Sequence, residues 1–240
     1  MPRMAELLHI AGDTPHPVSG PGVSLLIFDC DGVLIDSEIL VCDITGQELR
    51  RLGYSITLDE VIDRFAGRPE AEMVAEIELD WGRPIPASYF QSMRQRVEEA
   101  YATELRIMPG IVDLLGRVPI DVCVASSSYP AKLALGLRSV GLYDRFAPNI
   151  VSASFVQHGK PAPDIFIYAS GWMHRTTQNC LVIEDSVHGV RAAVSAGMRV
   201  IGFVGGQHCR PVQRERLLAA GAESVIGSFD EFDQLLSGRG

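Results

Sequence analysis

The chain has 240 residues, of which 47% are hydrophobic and 21% charged, which is enough apolar material for one substantial core and a small second domain. Its formal net charge of −9 disfavours a nucleic-acid-binding protein, because such proteins need a basic face to neutralise phosphates. The five cysteines form no Cys-x-x-Cys pair, which disfavours a zinc site or a disulfide framework and favours a reducing, cytoplasmic setting.

The N-terminal stretch is rich in proline, glycine, serine and threonine over residues 11–22. We predict a flexible leader over residues 1–22, without a secretory signal. A continuous apolar run then ends at Asp29, as a buried parallel strand does, and no apolar run is long enough to span a bilayer. From Ile39 to Leu105 the periodicity is helical and contains no convincing strand.

Beyond residue 106, short apolar runs alternate with helical patterns. We predict strands over residues 122–125, 149–151, 180–183, 199–203 and 224–226. We predict helices over residues 109–118, 130–140, 162–172, 186–196 and 211–220. This alternation indicates an α/β fold, a Rossmann-like doubly wound parallel sheet with a small helical cap inserted after the first strand. The expected domains are a core of residues 23–38 and 106–240 and a cap of residues 39–105.

Two carboxylates, Asp29 and Asp31, follow the first strand and precede a glycine. Phosphoryl transfer needs a nucleophile, an acid–base group for the leaving oxygen, and cations that offset the developing charge. An aspartate is already ionised at neutral pH and can attack without prior deprotonation. The pair is therefore a candidate for this chemistry, although the same pattern also occurs in turns that end strands.

Two later segments contain candidates for binding a phosphate, the serines after the second predicted strand and Lys160. Ser126 and Ser127 come at the end of a strand just before a helix, where hydroxyls and backbone amides can cradle a phosphate, whereas Ser128 could cap that helix. Lys160 is one of only two lysines and stands in a Gly-Lys-Pro-x-Pro-Asp segment. Its ammonium could hold a phosphoryl oxygen beside the nucleophile, although most lysines are solvated.

Glu184 and Asp185 end the strand predicted over residues 180–183. The carboxyl ends of parallel strands meet at one edge of a sheet, so these carboxylates should face Asp29. Mg²⁺ favours one or two carboxylates together with substrate oxygens and water. The sequence therefore predicts a magnesium site here, while Asp185 and Ser186 could also cap the next helix.

These segments, in this order, resemble the haloacid dehalogenase superfamily of phosphohydrolases over residues 23–229. The resemblance depends on Asp-x-Asp-Gly-Val-x-x-Asp-Ser-Glu from Asp29, the strand-terminal Ser126, Lys-Pro-x-Pro-Asp from Lys160 and Glu-Asp-Ser from Glu184. The first segment and the cap are similar to the branch that contains β-phosphoglucomutase, phosphoglycolate phosphatase and small sugar-phosphate phosphatases.

The resemblance implies a Mg²⁺-dependent phosphoric monoester hydrolase that forms an aspartyl-phosphate. Asp29 would be the nucleophile, and Asp31 would protonate the leaving alcohol and then activate water. Ser126 and Lys160 would bind the transferring phosphoryl group. The implied Mg²⁺ ligands are Asp29, the Asp31 carbonyl, Asp185 and, directly or through water, Glu184.

Related activities are less consistent with the residues. Dehalogenases lack the second aspartate, which is Asp31 here. The mutase carries a histidine twelve residues after its nucleophile, and this chain has Val41 at that position. The mutase also carries a lysine before its cap glycine and an arginine three residues after it, and this chain has Ala66 and Glu70 there. Phosphonoacetaldehyde hydrolases need a cap lysine, and the predicted cap has none. A regulatory protein of this fold that has lost catalysis would usually lack at least one of the residues that carry the chemistry. All four of them are present here: Asp29, Asp31, Lys160 and Asp185.

We therefore expect a phosphatase for a small phosphorylated metabolite, with a sugar phosphate or a sugar-acid phosphate such as 6-phosphogluconate favoured. A mutase or a phosphoglycolate phosphatase is the alternative. Arg68, beside the cap glycine Gly67, is a candidate for binding the tail of the substrate or, equally, a solvated arginine. Glu38 and Ser127 are further substrate-binding candidates. We expect no nucleic-acid or membrane partner, and a monomer or weak homodimer.

Overall fold

The computed structural model describes residues 22–236, apart from the side chains of Asp233 and Leu236. The predicted leader, except for its last residue Gly22, lies outside the described residues. Within that range, no helix combines the length and the apolar character needed to cross a lipid bilayer.

Six parallel strands of the described part of the chain form one sheet in the order β3-β2-β1-β4-β5-β6. They are β1 (Leu25–Phe28), β2 (Asp121–Ser126), β3 (Ile150–Ser152), β4 (Cys180–Glu184), β5 (Arg199–Phe203) and β6 (Ser224–Ile226). All six lie where the apolar runs predict strands. The chain runs outward from β1 to β3 and resumes beside β1 with β4, so the carboxyl ends of β1 and β4 border the crevice where such sheets bind ligands.

The central strand shows why these runs are continuously apolar. Leu26 and Phe28 pack into the hydrophobic cluster on one face of the sheet, whereas Leu25 and Ile27 pack into the cluster on the other face. All four side chains are fully buried, because helices cover both faces. Burial of side chains of this size contributes on the order of 2 kcal/mol each to folding.

Four helices separate β1 from the rest of the sheet. They are α1 (Glu38–Arg51), α2 (Leu58–Phe65), α3 (Glu70–Trp81) and α4 (Ala87–Thr103). Side chains such as Leu49, Ile77 and Tyr89 are buried in a hydrophobic cluster of these helices' own. The predicted helical insertion is therefore confirmed, while its division from the core at residues 39 and 105 stays a prediction.

Seven α-helices follow in the core over the residues that the structure describes. They are α5 (Ile111–Arg117), α6 (Pro130–Ser139), α7 (Tyr143–Phe146), α8 (Asp164–Trp172), α9 (Val187–Ser195), α10 (Pro211–Ala220) and α11 (Phe229–Leu236). Five of them match the predicted helices, and α7 and α11 were not predicted. Both contribute to the core nonetheless, since Phe146, Phe229 and Phe232 are fully buried against the sheet.

Candidate active site

A cavity of about 1040 Å³ lies between the carboxyl edge of the sheet and the four inserted helices. The ends of β1, β2 and β4 line its floor, and α1, α4 and the connection from α2 to α3 line its roof. The structure brings all nine predicted site residues to this cavity. They are Asp29, Asp31, Glu38, Arg68, Ser126, Ser127, Lys160, Glu184 and Asp185.

Lys160 connects the carboxyl ends of three strands, β1, β2 and β4, at the cavity floor. Its Nζ lies 2.5 Å from Asp29 Oδ1 and 2.6 Å from Glu184 Oε1, and it donates to the Ala125 carbonyl at 3.1 Å. Burial alone would lower the pKa of Lys160, but the two carboxylates outweigh burial and raise it. The lysine therefore remains a cation that is held against the predicted nucleophile.

Negative charge is concentrated around Asp29. Burial raises the pKa of Asp29 well above its usual range, and the neighbouring Glu184 and Asp185 carboxylates raise it further, whereas Lys160 opposes them. The three carboxylates outnumber the two nearby cations, Lys160 and the His208 imidazole, whose pKa Asp185 raises to about 11 against the effect of burial. A bound cation would relieve this charge.

Asp31 lies among hydrogen-bond donors. Its Oδ1 accepts from the hydroxyls of Ser37 at 2.6 Å and Tyr101 at 2.9 Å, and its Oδ2 accepts from Ser128 at 2.7 Å. The Lys132 ammonium lies 3.4 Å from Oδ1. Burial raises the pKa of Asp31, but Lys132 and the three hydroxyls outweigh it and lower the pKa to about 2. Asp31 is therefore ionised in the free protein.

The serine segment after β2 also contributes to the floor. Ser126 is buried, and its hydroxyl accepts from the backbone amide of Ser128 at 3.1 Å. The side chain of Ser128 does not cap α6, whose N-cap residue is Tyr129. The capping alternative for Ser128 is therefore wrong, because its hydroxyl donates to Asp31 instead. Ser127 is exposed to the cavity.

Glu184 is oriented by the start of α9. Its Oε2 accepts from the backbone amide of Ser186 at 2.8 Å and from the Ser186 hydroxyl at 3.0 Å. The same hydroxyl accepts from the backbone amide of Gly189 at 3.0 Å, so the predicted Ser186 cap is confirmed. A Cβ at Gly189 would lie 1.7 Å from Glu184 Oε1. Glycine is therefore required for the carboxylate to lie against the helix.

Asp185 contacts a histidine that the sequence pattern did not single out. His208 Nε2 lies 3.2 Å from Asp185 Oδ2, and both side chains are buried. Burial raises the pKa of Asp185 to about 6, with His208 opposing the rise. His208 comes after β5, so the rule that selected polar residues after the other strands could have found it.

The loop after β5 is also fastened to the first motif. Asp36 is buried, and it accepts from the backbone amide of Gln207 at 3.2 Å and from the Gln207 side-chain amide at 2.7 Å. These bonds hold the segment after β1 beside the loop that carries His208.

Gly32 occupies the turn after Asp31 for two reasons. Its φ of +80° lies in the region that favours glycine. A Cβ there would lie 1.9 Å from Asp185 Oδ2. The turn therefore brings the backbone of the first motif directly against the Asp185 carboxylate.

On the roof, Arg68 lies between α2 and α3 and pairs with carboxylates of α3. Its guanidinium contacts Glu76 Oε2 at 2.7 Å and Glu72 Oε2 at 3.3 Å, and it donates to the Arg64 carbonyl at 2.9 Å. Glu38 accepts a weak bond from the Gly67 amide at 3.4 Å. These two of the three predicted substrate-binding residues thus border the cavity from the roof, with Arg68 already paired to carboxylates.

Lys132 and Arg94, which line the cavity, and Tyr101, which contacts Asp31, were not proposed as site residues from the sequence. Lys132 had a usable signal, since it is the second of only two lysines. Tyr101 lies within the helical periodicity of residues 39–105, but it packs with the sheet cluster and its hydroxyl reaches Asp31. Arg94, on α4, had no distinguishing signal.

The carboxylates fit a magnesium ion rather than a closed metal cage. Over residues 22–236, no group of three or more histidine, cysteine, aspartate or glutamate side chains forms a ready-made metal site. Mg²⁺ keeps several waters and takes only one or two carboxylates with substrate oxygens. The buried, mutually repelling Asp29 and Asp185 carboxylates, beside the close-packed turn at Gly32, suit that mode of binding.

Comparison with known proteins gives consistent matches. Residues 26–203 match the model of the haloacid dehalogenase-like hydrolase family. The chain is 26% identical over 191 residues to the 6-phosphogluconate phosphatase of Escherichia coli, covering 79% of this chain and 86% of that protein.

Solved structures match over nearly the whole fold. A conserved haloacid dehalogenase-like protein from Agrobacterium tumefaciens is 36% identical with a TM-score of 0.84, covering 90% of this chain and 99% of that one. A hydrolase of the same family from Deinococcus radiodurans, with bound phosphate and sodium, is 26% identical with a TM-score of 0.78, covering 91% and 96%.

Proposed function

Because the chain belongs to the haloacid dehalogenase-like hydrolase family, we propose that it is a phosphatase that hydrolyses a small phosphorylated metabolite through an aspartyl-phosphate at Asp29. The observation that supports this most directly is the buried contact of Lys160 with both Asp29 and Glu184 on the cavity floor. This contact supports the proposal because phosphoryl transfer needs a fixed cation beside the nucleophile, the role proposed for Asp29.

In the first step, an Asp29 oxygen forms a bond to phosphorus while the bond from phosphorus to the substrate oxygen breaks. Lys160 and Ser126 would hold the phosphoryl oxygens, and Asp31 would give its proton to the leaving oxygen. Asp31 is ionised in the free protein. The negative charge of an incoming phosphate would raise its pKa and let it carry that proton.

In the second step, water attacks phosphorus, the bond to Asp29 breaks and inorganic phosphate leaves. Asp31, now deprotonated, accepts a proton from this water. The Ser37, Ser128 and Tyr101 hydroxyls hold the carboxylate in place for both transfers.

Magnesium completes the proposal. The residues that would hold it are the Asp29 and Asp185 carboxylates and the Asp31 carbonyl, with Glu184 bound directly or through water. When bound, the ion would neutralise charge on the phosphoryl group and orient it.

For the substrate, we favour a sugar phosphate or sugar-acid phosphate. The E. coli relative is named a 6-phosphogluconate phosphatase, and the cavity is large enough for a phosphorylated sugar. Val41 lines the cavity with an apolar side chain at the position where the mutase has its histidine. Hydrolysis is therefore favoured over mutase chemistry.

A cytoplasmic location and a monomeric or weakly dimeric state remain part of the proposal. All five cysteines are free, and Cys30, Cys42, Cys123 and Cys180 are buried. Free thiols of this kind suit a reducing compartment.

The decisive experiment is p-nitrophenyl phosphate hydrolysis by Asp29→Asn. We expect at least about a 1000-fold loss of kcat, because the amide cannot act as the nucleophile. EDTA should remove the wild-type activity, and added Mg²⁺ should restore it. Asp113→Asn is the matched control, since Asp113 is exposed on α5 outside the cavity. Retained activity in Asp29→Asn would rule out the nucleophile, and EDTA-resistant activity would rule out the metal.

A further inference from the structure

The roof of the cavity is largely apolar along one stripe of α4. Phe90, Met93 and Val97 line it there, and residues of α1, α2 and α3 extend this apolar surface. Arg94 lies within the stripe and is the cation of α4 that lines the cavity. A guanidinium on an otherwise apolar wall is placed to bind an anion.

Arg94 is also unpaired. Four lysine and arginine side chains line the cavity. Lys160 contacts Asp29, Lys132 contacts Asp31, and Arg68 contacts Glu72 and Glu76. Arg94 makes no ion pair or hydrogen bond with any residue that the structure describes. Its charge is therefore available to a ligand, whereas the other three are already compensated.

The helix fixes the position of Arg94 relative to the reaction centre. Arg94 and Tyr101 both lie on α4, seven residues apart, which places them on the same face and about 10 Å apart along the axis. The Tyr101 hydroxyl contacts Asp31. A molecule whose phosphate lies at Asp29 would therefore extend its far end along this stripe towards Arg94.

The charges on the roof restrict where an anion can lie. Glu38 and Glu70 also border the cavity and would repel an anionic tail on their side. Arg94 offers the planar, permanently charged donor group that pairs with a carboxylate or a phosphate through two hydrogen bonds. The attraction of an anionic tail to Arg94 on α4 and its repulsion by Glu38 on α1 and Glu70 on α3 therefore favour the same orientation of the substrate.

We propose that Arg94 determines specificity by binding a second anionic group, a carboxylate or a second phosphate, at the end of the substrate remote from the scissile phosphate. This inference rests on the proposed phosphatase function. It assigns the recognition of the tail to Arg94 on α4 rather than to Arg68, the cap candidate named from the sequence.

The test is Arg94→Met, with Arg216→Met as the matched control because Arg216 is exposed on α10 outside the cavity. The substrates are 6-phosphogluconate, fructose 1,6-bisphosphate and glucose 6-phosphate. We expect the ratio of kcat/KM for the better doubly anionic substrate to that for glucose 6-phosphate to fall about tenfold or more in Arg94→Met. Arg94→Lys should recover part of the ratio. If 6-phosphogluconate is the better substrate, the second anionic group that Arg94 binds is a carboxylate. If fructose 1,6-bisphosphate is better, that group is a phosphate.

An unchanged ratio in Arg94→Met, or an equal fall in Arg216→Met, would overturn the inference. Failure of the proposed function is separable, because it would show as no hydrolysis of p-nitrophenyl phosphate by the wild type. Titration calorimetry with 6-phosphogluconate and fructose 1,6-bisphosphate then decides without turnover. Both ligands are titrated into Asp29→Asn and into the Asp29→Asn, Arg94→Met double variant. A Kd about tenfold higher in the double variant for at least one ligand supports the site. Kd values that do not differ between the two variants, for either ligand, overturn it.

Discussion

Asp31 is a partly buried carboxylate that remains ionised because of the groups around it. Burial by itself raises its pKa, but the Lys132 ammonium and the hydroxyls of Ser37, Ser128 and Tyr101 lower it to about 2. A group whose pKa is depressed in the folded state stabilises that state above its unfolded pKa, which is about 3.9 for aspartate. This stabilisation is lost as the pH falls from about 4 through about 2.

Lys132→Met tests that balance. Without the ammonium, burial is less well compensated, so the pKa of Asp31 should rise and its stabilising contribution should be lost at a higher pH. Urea unfolding of the variant and wild type between about pH 3 and pH 7 measures the change. Lys132→Arg keeps the charge and should resemble the wild type. Parallel pH profiles for Lys132→Met and the wild type would contradict the prediction.

The residues around Asp31 also show where sequence reasoning ended. Asp31 itself stands in a recognisable motif, whereas Tyr101 has only the spacing of a core residue on an amphipathic helix. Its hydroxyl meets Asp31 across seventy positions of sequence. No local pattern encodes that approach.

At the scale of elements, the junction of β4 and α9 depends on close packing. The helix begins directly after the strand, and Glu184 lies against its first turn. Gly189 has no side chain at the point where the Glu184 carboxylate lies. The orientation of Glu184, and through it the contact with Lys160, therefore depends on the absence of one methyl group.

Gly189→Ala should displace Glu184 and weaken its contact with Lys160. We expect a loss of about 2 kcal/mol or more in the free energy of unfolding, from overpacking and a disturbed buried ion pair. Gly116→Ala in α5 is the control, because its Cβ would meet nothing within 4 Å. That change should be neutral or stabilise by about 0.5–1 kcal/mol. Urea unfolding of both variants measures the difference, and equal stabilities would contradict this account.

Elements were predicted well where they have a clear period or a continuous apolar run. Strand β1 is buried on both faces, so its apolar run is uninterrupted. Helix α7 has only four residues, too few to show a helical period. The final helix, α11, was missed although Phe229 and Phe232 lie on one buried face of it.

At the scale of the whole molecule, the inserted helices close over the core. Arg210, just before α10, contacts Asp59 Oδ1 at 2.5 Å and Asp63 Oδ1 at 2.9 Å on α2. A Cβ at Gly67 would lie 3.6 Å from the Cβ of Ser186 across the cavity mouth. The inserted helices thus contact the core through the ion pairs of Arg210 as well as through Tyr101, whose hydroxyl donates to Asp31.

Arg210→Ala should favour opening of this roof. The ion pairs are solvent-exposed, so their contribution is small and screened by salt. We expect the KM for the best sugar phosphate to rise roughly threefold at low salt, and the salt dependence of KM to weaken. Arg199→Ala is the control, because the ion pair of Arg199 with Glu223 lies on the surface of the α/β core domain and does not involve the inserted helices. An equal rise in both variants, or none in Arg210→Ala, would contradict a role in closure.

The sequence by itself determined the fold class and the positions of the six described strands, and it predicted nine residues that the structure brings to one cavity. Strand and helix periods are local properties, and parallel strands bring their carboxyl ends to one edge, so residues that follow strands must converge there. The family match agrees with this reading, and the relative in E. coli is a phosphatase. The catalytic roles of the nine predicted residues stay predictions.

Only the tertiary structure decided which charges compensate each other. Lys160 meets Asp29 across 131 positions of sequence, Lys132 is held at Asp31, and Arg68 is turned to Glu76, which leaves Arg94 unpaired among the described residues. Ion pairing depends on distances of a few ångströms between side chains from different elements. Composition and periodicity do not contain those distances, because they arise only when the cap helices and the sheet pack together.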